Sequence, residues 1–307
     1  MYAPGADAQK AGRMKLRSML FVPADNQRKL ARGLATPADA LILDLEDAVA
    51  PSRKAGARQT AADFITAHAP GLASRLFVRV NPLDSGLTMA DLAAVVVPGL
   101  AGIMLPKPDS AADLLRLGYC LDALEARVGL PHGGIAILPV ATETASAMLN
   151  MGSYASLSSA APIPRLVGLT WGAEDLSTAI GAITNREEDG HYSPLYDLAA
   201  SMCLCAAAAA GVPAIDTVYT DFRDASGLAA ACRVSRRRGF KGRMAIHPDQ
   251  VAVIHAAYSP SAAELAHAQR IVDAFAAQPD AGALNLDGAM IDMPHLIQAR
   301  RTLASAD

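Results

Sequence analysis

Short apolar runs recur along the chain, each closed by a turn signal and followed by a stretch of helical periodicity. Strands are expected at residues 18–22, 40–45, 76–80, 102–105, 135–140, 166–171, 214–218 and 242–246. None alternates cleanly between apolar and polar positions, as expected for strands covered on both faces. Helical patterns lie between and after them, at 27–34, 53–67, 110–128, 143–151, 194–210, 227–238 and 248–256. Eight strand–helix units in series predict an α/β fold of the (β/α)8 TIM-barrel type. A doubly wound sheet also alternates, but no Gly-x-Gly-x-x-Gly or phosphate loop follows the first strand.

The pattern continues past the eighth unit. Ser259-Pro260-Ser261 introduces a helix over 262–277, and Pro279-Asp280-Ala281-Gly282 turns into a final segment, 284–303. The expected organisation is a flexible N-terminal arm (1–14), a barrel catalytic domain (15–258), and a C-terminal helical extension (259–307) serving as a lid or oligomer arm. No internal repeat or low-complexity linker marks a further domain.

With 307 residues, 52% of them hydrophobic and 19% charged, the chain can bury a large core, which excludes disorder as its description. A net charge of −3, with no cluster of basic and aromatic residues, excludes a nucleic-acid surface. Arg236-Arg237-Arg238 reads as the basic last turn of a helix before Gly239. The four cysteines form no framework and read as small core residues in a reducing compartment; Cys203 and Cys205, two apart on a helix, face different sides. The most apolar segment, 198–215, is interrupted by Ser201, Gly211 and Pro213, so no membrane span is expected. The first fourteen residues carry no apolar core of a signal peptide, and the expected location is the cytoplasm.

In a barrel of this type, chemistry comes from the C-terminal strand ends. Those ends carry Asp44-Leu45-Glu46-Asp47, Arg79-Val80-Asn81-Pro82, Pro106-Lys107-Pro108, Thr142-Glu143-Thr144, Trp171-Gly172-Ala173-Glu174-Asp175 and His247-Pro248. Glu143 and Asp175 follow neighbouring strands. Each can offer a carboxylate oxygen, which with waters suits Mg²⁺; the alternative is a pair of first-turn helix carboxylates. Arg79 sits in an apolar strand, where a charge requires a partner. It is either an ion pair with Asp44 or Glu46, or a guanidinium fork aimed at a substrate carboxylate. Asp44, Glu46 and Asp47 can form a shell behind the metal, or Asp47 can cap a helix. Lys107 reads as a solvated loop lysine, and His247-Pro248-Asp249 as a helix start. No Gly-x-Ser-x-Gly elbow or strand-end cysteine supplies a nucleophile, and no His-x-x-x-His pair supplies a metal site.

These strings resemble the citrate lyase beta-subunit-like branch of the HpcH/HpaI aldolase superfamily. The resemblance rests on Leu20-Phe21-Val22-Pro23, Leu43-Asp44-Leu45-Glu46-Asp47-Ala48-Val49, Val78-Arg79-Val80-Asn81-Pro82, Leu105-Pro106-Lys107 and Glu143-Thr144-Ala145. It continues through Gly172-Ala173-Glu174-Asp175-Leu176, Ala214-Ile215-Asp216, Ala245-Ile246-His247-Pro248 and Met290-Ile291-Asp292-Met293-Pro294. It spans about residues 17 to 303 and departs from the usual pattern at Ala24, Asn26 and Ala289.

The resemblance implies a Mg²⁺-dependent carbon–carbon lyase acting on a 3-hydroxyacyl-CoA (citramalyl-, malyl- or citryl-CoA), assembled as a homotrimer or hexamer. It implies that Glu143 and Asp175 bind the metal, that Arg79 binds substrate and stabilises an enolate, and that Glu46 and Asp47 stand behind them. Asp292 would be a lid aspartate acting in proton transfer at a neighbouring subunit's site, and Phe21, Arg28 and Lys29 would contact CoA. Open alternatives are a citrate lyase beta subunit acting on an acyl-carrier-protein thioester, a class II pyruvate aldolase, and a malyl-CoA thioesterase or malate synthase-like activity.

Overall fold

The computed structural model describes residues 15–72, 75–157 and 165–306; the expected arm at 1–14 and the segment 160–164 before the sixth strand lie outside them. Eight strands form one sheet: β1 (Ser18–Pro23), β2 (Ala40–Asp44), β3 (Leu76–Arg79), β4 (Gly102–Leu105), β5 (Ala136–Pro139), β6 (Leu169–Thr170), β7 (Ala214–Asp216) and β8 (Gly242–Ala245). They run in the order β5-β4-β3-β2-β1-β8-β7-β6, every pairing parallel. Bridges Ile137↔Leu166 and Val140↔Thr170 join the two ends, so the sheet closes into a barrel with only a thin seam between β5 and β6.

Met19, Ala40, Ile42, Phe77, Met104, Ala136, Leu138, Val140, Ile215 and Met244 pack together in the barrel interior, with Phe21 against them. Space there is tight: a Cβ on Gly102 would overlap the Phe77 ring. Successive side chains of a strand point to opposite faces. Asp44, two residues after Ile42, and Arg79, two after Phe77, therefore continue the interior rows as their polar upper ends. They are also direct register partners across β2 and β3.

The helices begin where side chains satisfy their free amides. Asn26 caps α1 (Gln27–Leu34), Ser110 caps α4 (Ala111–Val128), Thr144 caps α5 (Ala145–Asn150) and Asp224 caps α8 (Ala225–Arg238). Asn26 accepts from Lys29 N, so the departure from the family pattern there serves the helix start. Left-handed Gly129, Gly181 and Gly211 end α4, α6 (Glu174–Ile180) and α7 (Pro194–Ala210). The remaining barrel helices are α2 (Lys54–Leu72), α3 (Thr88–Val95) and α9 (Gln250–Tyr258). The basic triplet 236–238 does close α8 before Gly239. The cysteine expectation holds for buried Cys203 and Cys232, but Cys120 is half-buried and Cys205 exposed. Among the described residues no helix is long and apolar enough to cross a membrane.

The chain divides into two compact units, the second beginning at His255. In this unit α10 (Ala262–Ala277) starts with a Ser261/Glu264 capping box. A hairpin of β9 (Ala283–Leu286) and β10 (Ala289–Asp292) then leads into α11 (Met293–Ala304). Ala268, Ile271, Phe275, Ile291, Leu296 and Ala299 form its core. The expected extension is helical at both ends, but the hairpin between them was not anticipated. Asp287-Gly288 forms its two-residue turn with both φ positive, 55° and 85°, the geometry this dipeptide favours.

Candidate active site

Arg79 lies at the C-terminal end of β3 and grips Asp44 with both arms of its fork. Nε donates to Oδ1 at 2.8 Å and Nη2 to Oδ2 at 2.7 Å. Its third nitrogen, Nη1, lies 2.9 Å from Glu46 Oε2 and 3.4 Å from Asp47 Oδ2. The Phe21 ring packs against the guanidinium, 4.9 Å from its carbon. The ion pair that the sequence left open for Arg79 is present. Both arms of the fork are turned onto Asp44. Burial opposes that charge, but the hydrogen bonds and fields of Asp44, Glu46 and Asp47 outweigh it and hold the guanidinium protonated.

Backbone amides and a lysine fix the loop after β2. Asp44 accepts from the amides of Glu46 (2.9 Å) and Ala48 (3.2 Å). Lys54 Nζ donates to the carbonyls of Leu45 and Glu46 and to Asn81 Oδ1. Asn81 in turn donates from N and Nδ2 to buried Asp91. Lys54 and Asp91 escaped the sequence reading: α3, which carries Asp91, has no capping side chain to announce it, and Lys54 acts on loop carbonyls that spacing does not reveal. Asp47 does not cap a helix: Pro51 opens a short 3-10 turn and α2 begins only at Lys54.

Lys107 is a correction to its reading as a solvated loop lysine. Its backbone N donates to Glu143 Oε2 at 2.7 Å, and its ammonium lies 2.5 Å from Glu46 Oε1 and 3.2 Å from Asp175 Oδ1. Burial would lower this ammonium, but the Glu46 hydrogen bond and the fields of Glu46, Glu143 and Asp175 prevail and raise it. Through Lys107 the structure brings Glu46, Glu143, Asp175 and Arg79 into one cluster, with Asp47 at its exposed edge.

Glu143 is 5% exposed and is set by the turn before α5, where Thr144 caps the helix. Gly172, after β6, lies against its side chain: a Cβ there would stand 2.9 Å from Glu143 Cγ and 3.0 Å from Oε1. Only a glycine leaves that oxygen its space. Burial, and then the neighbouring Asp175, push the Glu143 carboxyl well above the ordinary range; burial also raises Glu46, against the pull of Arg79 and Lys107. Asp175 lies in the first turn of α6, its side chain about one-third exposed. Five carboxylates thus face two cations, and Glu143, raised first by burial and then by Asp175, has only the Lys107 charge to oppose that rise.

That excess of carboxylates over cations, and an all-oxygen donor set, suit a hard divalent cation between Glu143 and Asp175. Among the described residues no group of three His, Cys, Asp or Glu forms a complete cage, and a Mg²⁺ site with one or two carboxylates and several waters requires none.

Within the barrel unit, Arg28, Lys29 and His247 make none of this cluster's contacts. Arg28 and Lys29 are exposed on α1. His247 precedes α9, donating its N to Gln250 Oε1 at 3.2 Å, with its ring stacked on Phe222. Asp292 lies in the second unit at the start of α11, its Oδ1 2.5 Å from His295 Nδ1.

Residues 17–248 match the HpcH/HpaI aldolase/citrate lyase family. A (3S)-malyl-CoA thioesterase of Cereibacter sphaeroides (strain KD131) is 37% identical over 296 residues, covering 95% of this chain and 94% of that protein. The citrate lyase subunit beta of Escherichia coli (strain K12) is 34% identical over 295 residues, covering 95% and 93%. The crystal structure of CitE from Mycobacterium tuberculosis, in complex with magnesium, acetoacetate and coenzyme A, superposes with a TM-score of 0.77 at 33% identity, covering 96% of this chain and 99% of that one. This chain, a TIM barrel with its polar cluster at the strand ends, belongs to the HpcH/HpaI aldolase/citrate lyase family.

Proposed function

We propose that this protein is a Mg²⁺-dependent carbon–carbon lyase that cleaves a 3-hydroxyacyl-CoA bearing a carboxylate on its hydroxyl carbon, releasing acetyl-CoA and a 2-oxo acid. The observation that carries this reading is the buried Glu143 carboxylate, paired with Asp175 and short of positive charge, beside the Arg79–Phe21 wall. The CitE of M. tuberculosis, crystallised with magnesium and coenzyme A, supports the same ligands here.

Glu143 and Asp175 would hold Mg²⁺, which would supply Lewis acidity to lower the pKa of the substrate hydroxyl. Lys107 N–H and Gly172 fix Glu143 from two sides, so the carboxylate is placed before substrate arrives. The hydroxyl proton would pass to water, the electrons of the O–H bond would become the new carbonyl bond, and the carbon–carbon pair would pass to the α-carbon of the thioester. The resulting enolate needs preorganised positive charge, which Arg79 supplies through its field, held rigid by Asp44 and Glu46. Asp292, acting from a neighbouring subunit of a homotrimer or hexamer, would return a proton to that carbon. Phe21, Arg28 and Lys29 would contact CoA, Glu46 and Asp47 would stand behind the reacting groups, and the enzyme would work in the cytoplasm.

A second reading, thioester hydrolysis, is favoured by the C. sphaeroides relative, named a malyl-CoA thioesterase. Action on a carrier-protein thioester is favoured by the citrate lyase beta subunits. One experiment tests all three. Citramalyl-, malyl- and citryl-CoA are incubated with enzyme and Mg²⁺, and products are separated. Pyruvate, glyoxylate or oxaloacetate appearing with acetyl-CoA supports the lyase. Free CoA with an intact hydroxy acid replaces it with the thioesterase, and no turnover of any CoA ester by metal-loaded protein overturns it in favour of a carrier thioester.

A further inference from the structure

Among the described residues only two that are not glycine have positive φ: Asp287, in the hairpin turn that demands it, and Lys107, at 51°. Lys107 has no such turn to explain it, and it lies between two prolines, the second of which restricts its backbone further. A left-handed lysine is disfavoured and persists only where its surroundings over-determine it. Here the surroundings are three carboxylates. In this one conformation the backbone N–H meets Glu143 while the ammonium meets Glu46 and Asp175. The two ion pairs are unequal. That to Glu46 is 2.5 Å long and ends on a buried carboxylate; that to Asp175 is 3.2 Å long and ends on one that is 31% exposed. The looser contact is the one made to a proposed metal ligand.

We propose that Lys107 is the resident counter-cation of the acidic cluster: in the metal-free protein it occupies Asp175, and an incoming divalent cation must take Asp175 from it. Lys107 then acts through Asp175 as a positioning residue, keeping the cluster assembled without metal and limiting how tightly metal binds. Its tie to Glu46, which also pairs with Arg79, links the metal end to the arginine end. This inference rests on the assignment of Glu143 and Asp175 as ligands. A lysine that merely braced the loop would have the opposite signature, since its loss would disorder Asp175 and weaken binding.

The test is Mn²⁺ binding to the full chain without substrate, read from the electron paramagnetic resonance of free Mn²⁺. Removing a unit charge within a few ångströms of a divalent ion changes its affinity by about tenfold or more, even with solvent screening. Lys107→Met is expected to bind Mn²⁺ about tenfold tighter than wild type, and Lys107→Arg, which keeps the charge, within about threefold of it. Lys107→Gln is read in the same way should Lys107→Met fail to fold. Unchanged or weaker binding in the neutral variants overturns the proposal while leaving the ligands standing, provided wild type binds and Asp175→Asn does not. Wild type that binds no Mn²⁺, or Asp175→Asn that binds as well as wild type, removes the ligand assignment and this inference with it.

Discussion

Gly172 offers the sharpest test of whether the placement of Glu143 matters. Its φ is outside the left-handed range, so alanine is acceptable to the backbone and any effect comes from the added methyl. That methyl would stand 2.9 Å from Glu143 Cγ, 3.0 Å from Oε1 and 3.2 Å from Val140 Cγ1, against ordinary contacts of 3.4–4 Å. Glu143 must therefore retreat by roughly half an ångström, the tolerance of a working ligand set. It has little room to do so, being buried and tied through Oε2 to Lys107 N. Overpacking of this kind costs about 1–3 kcal/mol, a loss of several degrees in Tm. If about half of that strain is taken up by the carboxylate, metal affinity falls about two- to tenfold, since about 1.4 kcal/mol is a decade. Calorimetric titration with Mn²⁺ and a thermal melt measure the two parts. Gly181→Ala is the control: its φ is +74° and nothing lies within 4 Å, so it should lose about 1 kcal/mol of stability and no metal affinity. Gly172→Ala with wild-type Mn²⁺ affinity and turnover would refute the argument that this glycine makes the ligand's space.

Glu143→Gln should trade function for stability. Because burial raises the Glu143 carboxyl, the metal-free fold holds that proton more tightly than the unfolded chain does, so stability falls as pH rises from the ordinary glutamate range through the raised value. The glutamine cannot ionise. Metal-free melts should coincide near pH 4 and diverge by about 0.5–2 kcal/mol in favour of the variant at neutral pH. Mg²⁺ should stabilise only wild type, by about 2.7 kcal/mol at a hundredfold excess over Kd. A variant less stable than wild type at every pH would contradict this. Arg79→Ala leaves Asp44 and Glu46 buried without their main counter-charge and should cost about 3–5 kcal/mol in a urea titration, with Arg79→Lys intermediate. Wild-type stability in Arg79→Ala would show that the fork holds nothing. Asp292→Asn should lower kcat more than it raises KM; equal effects on both would remove its role in proton transfer.

The barrel was legible because its strands are apolar on both faces and its breaks are chemically marked. All eight strands lie at the apolar runs, whereas α3 and α6, which start without a capping side chain, fall outside the expected helical stretches. What escaped has identifiable causes. β6 shrinks to Leu169–Thr170 because its first pairing is a single bridge at Leu166, which an apolar run cannot foretell. The hairpin was missed although Asp287-Gly288 sits between two short segments, because 284–303 reads equally well as the lead into a helix. At the site, Glu143, Asp175, Arg79 and Glu46 could be picked out because charged residues at apolar strand ends need a reason to be there; Phe21 entered only through the resemblance, as a CoA contact, and its place against Arg79 was not foreseen. Lys107 was misjudged because proline on both sides suggests an exposed loop, whereas its partners lie 36 to 68 positions away in either direction. The fit of Gly172 against Glu143 is likewise a contact between loops, invisible to spacing.

The apolar interior explains why these charges form one cluster. Below the strand ends the barrel is filled by Met19, Ile42, Phe77, Leu138 and their neighbours, so no solvent reaches the upper layer from beneath and its charges must answer one another. They do so unevenly. Around Arg79 the balance is met: a bidentate carboxylate, a second ion pair and an aromatic face leave the guanidinium fixed and its field directed. Around Glu143 it is not, and Lys107 is the only ammonium in contact with Asp175 among the described residues. A substrate bearing its own carboxylate would meet repulsion at that end until positive charge is added. A cation there would turn the deficient end into an attractive one, and would do so beside a guanidinium already placed for charge that develops later. The division between a completed arginine end and an incomplete carboxylate end is what a metal-assisted cleavage requires, because ground-state chelation and stabilisation of the product anion fall on different groups.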